Sequence, residues 1–181
     1  MKWFLQMTFL LSVFNSYAQE ALDTIPKVNG VYGYEEVVLL DSTYTKDLLY
    51  KNAKTYVANA SKNASDVILD EKEEGKIISK GFYSIKDRVP SGMSDYKWNV
   101  YYNTEISFKD GKYRYRFYDI KIKQEIPPFY ETKDMTVDEA IKSTMKGERK
   151  KLYTRMFNNM VGRFRTSVET LKKQLAWKDD F

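Results

Sequence analysis

From Trp98 the chain alternates strictly, with Trp98, Val100, Tyr102, Thr104, Ile106 and Phe108 on one side and Asn99, Tyr101, Asn103, Glu105, Ser107 and Lys109 on the other. A period of two marks a strand with one covered face. The next residues, "KDGKYRYRF", place Asp110-Gly111 at a corner, which predicts a type I′ hairpin turn with positive φ at both central residues. A two-residue loop sets the register. Lys109 then faces Lys112, Phe108 faces Tyr113, Ile106 faces Tyr115 and Thr104 faces Phe117, while the opposite face pairs Ser107 with Arg114 and Glu105 with Arg116. Tyrosines and arginines therefore lie on different faces. Tyr113, Tyr115 and Phe117 belong to the covered side, and Arg114 and Arg116 to the open one, with the Glu105 carboxylate opposite Arg116. Beyond Phe117 the apolar phase slips, and a bulge at Tyr118-Asp119 returns Ile120 and Ile122 to the core side.

The same reading places the other elements. Residues 36–40 are a short apolar, β-branched run and read as a buried strand. Leu49, Ala53, Tyr56, Val57 and Ala60 then fall on one helical face, with Lys46, Asp47, Lys51 and Lys54 pointing away and Thr45 as N-cap. "DVILDEKEEGKIISKGFYSI" reads as a hairpin pairing Val67–Asp70 with Lys76–Ile85 across Glu73-Glu74-Gly75, and Gly81 marks a bulge or bend. "KDRVPSGMSD" is a loop, and the paired prolines of "IPPFYETKD" end the sheet. Thr136 and Glu139 in "TVDE" form a capping box for a helix that Gly147 closes after about Lys146. Leu152, Met156, Met160, Phe164, Val168, Leu171 and Leu175 form the apolar stripe of a helix over 148–177. At 1.5 Å per residue it is about 45 Å long. That matches a strand of a dozen residues, about 40 Å, so one helix covers the hairpin.

At the N-terminus, Lys2 precedes an apolar run from Trp3 to Phe14 and the small-residue pattern Ser16-Tyr17-Ala18, which predicts a signal peptide over 1–18 cleaved after Ala18. Residues 19–34 read as a linker, and 35–177 as a single domain. No later segment is apolar for the ~20 residues a transmembrane helix needs. The chain has no cysteine, so the sequence predicts no disulfide and no lipoprotein anchor, and an exported, periplasmic or extracellular protein held together by burial. A net charge of +5 and a pI near 9.1 allow, without requiring, attraction to anionic partners.

The order strand, helix, four strands, helix, with the leader and the segments "DVILDEKEEGKIISKG" and "KDGKYRYRFYDI", resembles the secreted bacterial family of domains of unknown function with a TATA-binding-protein-like (TBP-like) fold. The resemblance covers about residues 30–125 and implies an α+β fold with a curved antiparallel sheet, in β-α-β-β-β-β-α order, and helices on one face. It also implies export from a Gram-negative cell. It supplies no activity and no catalytic residue.

The chain has no histidine and no cysteine, which removes Ser-His-Asp and Cys-His catalysis and the usual zinc ligands. No enzyme, cofactor or metal site is expected. "DEKEEG" at 70–75 fails as a calcium loop because Lys72 stands at a ligand position and Gly81 where a bidentate Glu is needed. "GVYG" lacks the spacing of a phosphate loop, and the Asn-x-Ser triplets at Asn59 and Asn63 read as chance. The bases of the last helix read as a solvated face. Nucleic acid is disfavoured because the open side carries Glu105 and the protein is expected to be exported. The sequence points instead to a non-catalytic binding or assembly module whose open sheet face, with Tyr101, Tyr118, Asn99, Asn103, Arg114 and Arg116, meets a cell-envelope protein or glycan. The alternatives are a small-ligand carrier with a pocket between the sheet and the last helix, and a carboxylate-based hydrolase.

Overall fold

The computed structural model describes residues 24–60, 67–88, 95–126, 131–147 and 149–178; the leader expected over 1–18 lies outside them. In chain order the elements are β1 Lys27–Val28, β2 Val31–Tyr32, β3 Tyr34–Leu39, α1 Lys46–Ala60, β4 Val67–Glu71, β5 Lys76–Arg88, β6 Asp95–Lys109, β7 Lys112–Ile126, β8 Glu131–Met135, α2 Val137–Met145 and α3 Lys150–Leu175. The main sheet is antiparallel in the order β3-β7-β6-β5-β4, with β8 also on β7. All three helices pack on one face.

The alternating residues fall as their period demands. Trp98, Val100, Thr104, Ile106 and Phe108 of β6 and Tyr113, Tyr115 and Phe117 of β7 are buried. The pairs Phe108–Tyr113, Ile106–Tyr115, Thr104–Phe117, Ser107–Arg114 and Glu105–Arg116 sit opposite one another as the two-residue corner requires. The corner itself differs from type I′, because the positive φ falls on Gly111 (69°) and not on Asp110. The β3–α1 connection explains this. Asp110 Oδ1 accepts from the Lys46 amide at 2.6 Å, the Gly111 amide donates to the Tyr44 carbonyl, and the Leu40 amide donates to the Gly111 carbonyl, both at 2.8 Å. A turn tied on three sides answers to its partners before its own twist.

The expected phase slip is a bulge, one residue later than the Tyr118-Asp119 step the sequence suggests, because Tyr118 keeps its pairing with Asn103. Tyr101 faces Lys121 and Asn103 faces Tyr118, so Asp119 and Ile120 together oppose Tyr102. Asp119 takes φ 55°, and Ile122 beyond it is buried while Ile120 packs partly against the core. Gly81 makes no bulge: the pairing runs unbroken through Gly81 and Tyr102. A Cβ at position 81 would stand 2.1 Å from Cζ of the Tyr102 ring, so the residue is glycine to let that ring lie across the strand.

Further sequence expectations change, beginning with the expected loop over 86–95, of which Lys86–Arg88 belong to β5 and Asp95 to β6. Residues 36–40 are not a buried strand: β3 is an edge strand paired only with the first half of β7, which leaves Val37 57% and Leu39 76% exposed. The sheet does not end at "IPPFYETKD". After the prolines, which lie outside the described residues, the chain returns as β8 along Ile122–Ile126 of β7. Four of its five residues are exposed, so no apolar period announced it. The described part of the linker, 24–34, contains the β1–β2 ribbon and a buried Ile25.

Helix α1 buries Leu49, Ala53, Tyr56 and Val57, with the Leu48 amide donating to Thr45 Oγ1 at 3.3 Å as an N-cap; Ala60, expected on this face, is exposed. Its buried Asn52 donates from Nδ2 to the carbonyls of Leu175 and Trp177 at 3.2 and 2.7 Å, satisfying groups that every helix C-terminus leaves unpaired. On α3, Phe157 and Val161 join the stripe of Leu152, Met156, Met160, Phe164, Leu171 and Leu175 at the bottom of the core. The Thr136–Glu139 capping box is present in both directions. Burial is the first reason that the Tyr113 phenol is pushed up to about 12.

Candidate functional site

On the uncovered face, β5, β6 and β7 set side chains in register as a grid. Lys80, Asn103 and Tyr118 form one row, Phe82, Tyr101 and Lys121 the next, Ser84, Asn99 and Lys123 a third, and Lys86, Lys97 and Glu125 a fourth. Toward the Gly111 corner the face continues through Glu35, Arg116, Arg114 and Glu105.

The six residues expected on the open face are all there, but they differ in what they offer. Arg116 Nε pairs with Glu35 Oε2 at 2.9 Å, and Arg114 Nη2 pairs with Glu105 Oε1 at 2.9 Å. The expected Arg116–Glu105 pair is thus replaced. β3 sets Glu35 directly opposite Arg116, and Glu105 reaches diagonally to Arg114, a distance long side chains span easily. Glu105 is buried beneath Arg114 and Lys76. Both arginines are therefore committed within the fold. Asn99 is also buried, accepting from Ser84 Oγ at 2.7 Å and donating to Glu125 Oε1 at 2.6 Å. Tyr118 is half-buried under the Arg116 guanidinium, 5.0 Å from its ring centroid. Desolvation, reinforced by Glu105, raises its phenol pKa. Asn103 is half-buried beside Asp119.

Tyr101 alone of the six is both exposed and outside an ion pair or buried network. Its ring meets Phe82 at 5.0 Å between centroids, the two being 39% and 45% exposed. Lys123 Nζ stands 5.8 Å from the Tyr101 centroid. Lys80 and Lys86 flank Phe82 on the same file of β5, are exposed, and form no ion pair with the described residues. Lys121 and Lys97 complete the lysines, paired with Asp119 and Glu125 at 2.9 Å each. The Lys97 hydrogen bond, with Asn99 and the nearby Lys86 charge, holds the Glu125 carboxyl below its ordinary value despite some desolvation.

Phe82, Lys80, Lys86 and Lys123 were not singled out by sequence. Phe82 and Tyr83 are adjacent rings, so the period of two in "KGFYSIK" does not say which faces out. The register that sets Phe82 opposite Tyr101 is not fixed by a two-residue turn signal in the sequence, as that of β6 and β7 is.

On the other side of the sheet, a cleft of ≈ 360 Å³ opens between the end of α1, β5 and α3, lined by Tyr56, Tyr83, Tyr102, Arg163, Ser167 and Thr170 among others. Burial raises the Tyr56, Tyr83 and Tyr102 phenols above their ordinary value, and a Ser167 hydrogen bond partly offsets this for Tyr102. Among the described residues no three acidic side chains converge as a metal site needs, and no helix is long and apolar enough to cross a membrane.

The model of a family described as "Domain of unknown function (DUF4468) with TBP-like fold" matches residues 34–123, from the start of β3 to Lys123 on β7. The chain belongs to this family. Two solved structures show the same fold. The crystal structure of a DUF4468 family protein from Bacteroides ovatus is 13% identical, covers 87% of this chain and 93% of that one, and has a TM-score of 0.55. The structure of a TBP-like protein from Parabacteroides distasonis is 15% identical, covers 82% and 97%, and has a TM-score of 0.61. No curated protein matches the chain. The DUF4468 match contains β3 to β6 and most of β7, so the aromatic and lysine rows of the grid lie within the family domain.

Proposed function

We propose that this DUF4468 protein is a binding or assembly module of the cell envelope, without catalytic residues, whose uncovered sheet face docks a partner. The carrying observation is the exposed Phe82–Tyr101 ring pair on a surface where both arginines are committed to ion pairs within the fold. Exposed rings cost free energy in water and return it when a partner covers them. Aromatic anchors ringed by polar groups dominate the energetics of contact surfaces. Arg114, Arg116 and Asn99 serve this face as its frame, holding β3, β7 and β6 in register beneath the contact groups.

A capture experiment from the envelope fraction tests the reading. A Phe82→Ala, Tyr101→Ala double variant that melts like the wild type is expected to lose the captured partner, with at least about a tenfold drop in affinity per anchor removed. Undiminished capture by the folded variant would refute a docking role for this face.

A further inference from the structure

We infer that the ligand of this face is an acidic polysaccharide, a chain of sugar rings carrying carboxylates or sulfates. The inference rests on the docking role proposed above and narrows it to one class.

The groups presented are those such a chain requires. Two rings 5.0 Å apart and inclined at 42° form an apolar platform on which the C–H face of a sugar can lie, a contact akin to the stacking of flat ligands on aromatic side chains. In the rows beside it, Asn103 supplies an amide that can donate and accept, and Ser84 a hydroxyl oxygen that can accept while its proton is held by Asn99. Around these stand Lys80, Lys86, Lys121 and Lys123, all exposed, against the acids Asp119, Glu125 and, on β8, Asp134 beside Lys123. Neither Lys80 nor Lys86 forms an ion pair among the described residues, and Lys86 feels only the Glu125 charge, which Lys97 already pairs, so most of their charge is available to an anionic ligand. From Lys80 to Lys86 the file runs six residues, about 20 Å at ~3.3 Å per residue, a length that spans several sugar rings. The middle strand β6 is hydrogen-bonded on both sides, so a peptide cannot add itself as a strand at the centre of the grid. Recognition there must come from side chains, which suits a glycan better than an extended acidic peptide.

The test is affinity electrophoresis of the full chain through gels containing polygalacturonate, chondroitin sulfate, a neutral β-glucan, polyglutamate or single-stranded DNA. At least one of the two acidic glycans is expected to retard the protein, and the neutral glucan and polyglutamate to do so at least about tenfold more weakly. Added salt should weaken retention, as for any contact between exposed charges. Phe82→Ala with Tyr101→Ala is expected to abolish retention, and Lys80→Gln with Lys86→Gln to reduce it about tenfold with the melting temperature unchanged. Equal retention by polyglutamate or DNA, or retention indifferent to loss of the rings, would show a plain cation surface and overturn the assignment. Failure to bind either acidic glycan would overturn it as well. The docking role itself would stand in that case if the ring variant still lost a protein partner in the capture experiment.

Discussion

Gly81 shows how much a single position can carry. The side chain absent there leaves room for Tyr102, whose ring contacts Phe117 and Phe164 at 5.8 and 5.0 Å between centroids. A methyl group would meet that ring at 2.1 to 2.2 Å, so the ring would have to give up its contacts with Phe117 and Phe164 and move toward the cleft it lines. Gly81→Ala is therefore expected to destabilise the protein by roughly 1–3 kcal/mol, the usual cost of overpacking. Gly162 on α3 has open space where a Cβ would go. Gly162→Ala there should stabilise by about 1 kcal/mol through helix propensity alone. Urea denaturation of the two variants checks both signs. If Gly81→Ala proves neutral, the close approach of strand and ring is wrong.

Helix α3 acts as the lid of the sheet, and Phe164 is its fulcrum. The ring touches Tyr34, Tyr83, Tyr102 and Phe117, with centroid separations of 5.6, 5.7, 5.0 and 6.2 Å. It thus joins β3, β5, β6 and β7 to one helix. The Tyr83 hydroxyl adds a hydrogen bond to the Met160 carbonyl at 3.2 Å, and Gln124 Nε2 donates to the Tyr153 hydroxyl at 2.8 Å. Phe164→Ala is expected to cost about 3–5 kcal/mol, as the removed contacts and the cavity left behind add together. Chemical denaturation measures this, and a loss under about 1 kcal/mol would mean that the cluster collapses around the gap. The apolar stripe of α3 was legible from its spacing of three and four. Its partners were not, because spacing names a face without naming what the face meets.

Across the whole molecule, acid pairs tie elements remote in sequence. Glu36 of β3 accepts from Lys172 of α3 and from the Tyr115 hydroxyl, the latter at 2.8 Å, and the Lys172 contact chiefly holds its carboxyl below the ordinary value. Asp70 of β4 is lowered first by Lys54 of α1, at 2.9 Å. For such groups the folded pKa lies below the unfolded one. Their stabilisation is complete above the ordinary carboxylate range and is lost as pH falls through the folded values. The melting temperature is expected to decline below about pH 4.5, the upper edge of that range. Glu36→Gln should melt lower than wild type at neutral pH and lose less on acidification. A Glu36→Gln profile parallel to wild type would exclude this pair from the acid response.

What the amino-acid order determined by itself was the division of faces. A two-residue corner followed by a period of two leaves the rings of Tyr113, Tyr115 and Phe117 only one side to occupy, and the arginines the other, because neighbouring residues in a strand point oppositely. The slip after Phe117 was visible for the same reason. Only the tertiary structure decided which strands flank β7, and hence that Arg116 pairs with Glu35, that Asp110 keeps out of the left-handed region, that β8 prolongs the sheet, and that Phe82 stands beside Tyr101. Each of these depends on segments brought together across long or irregular connections. Local periodicity carries no information about such pairings, because the energy that selects them arises only when the distant partners meet.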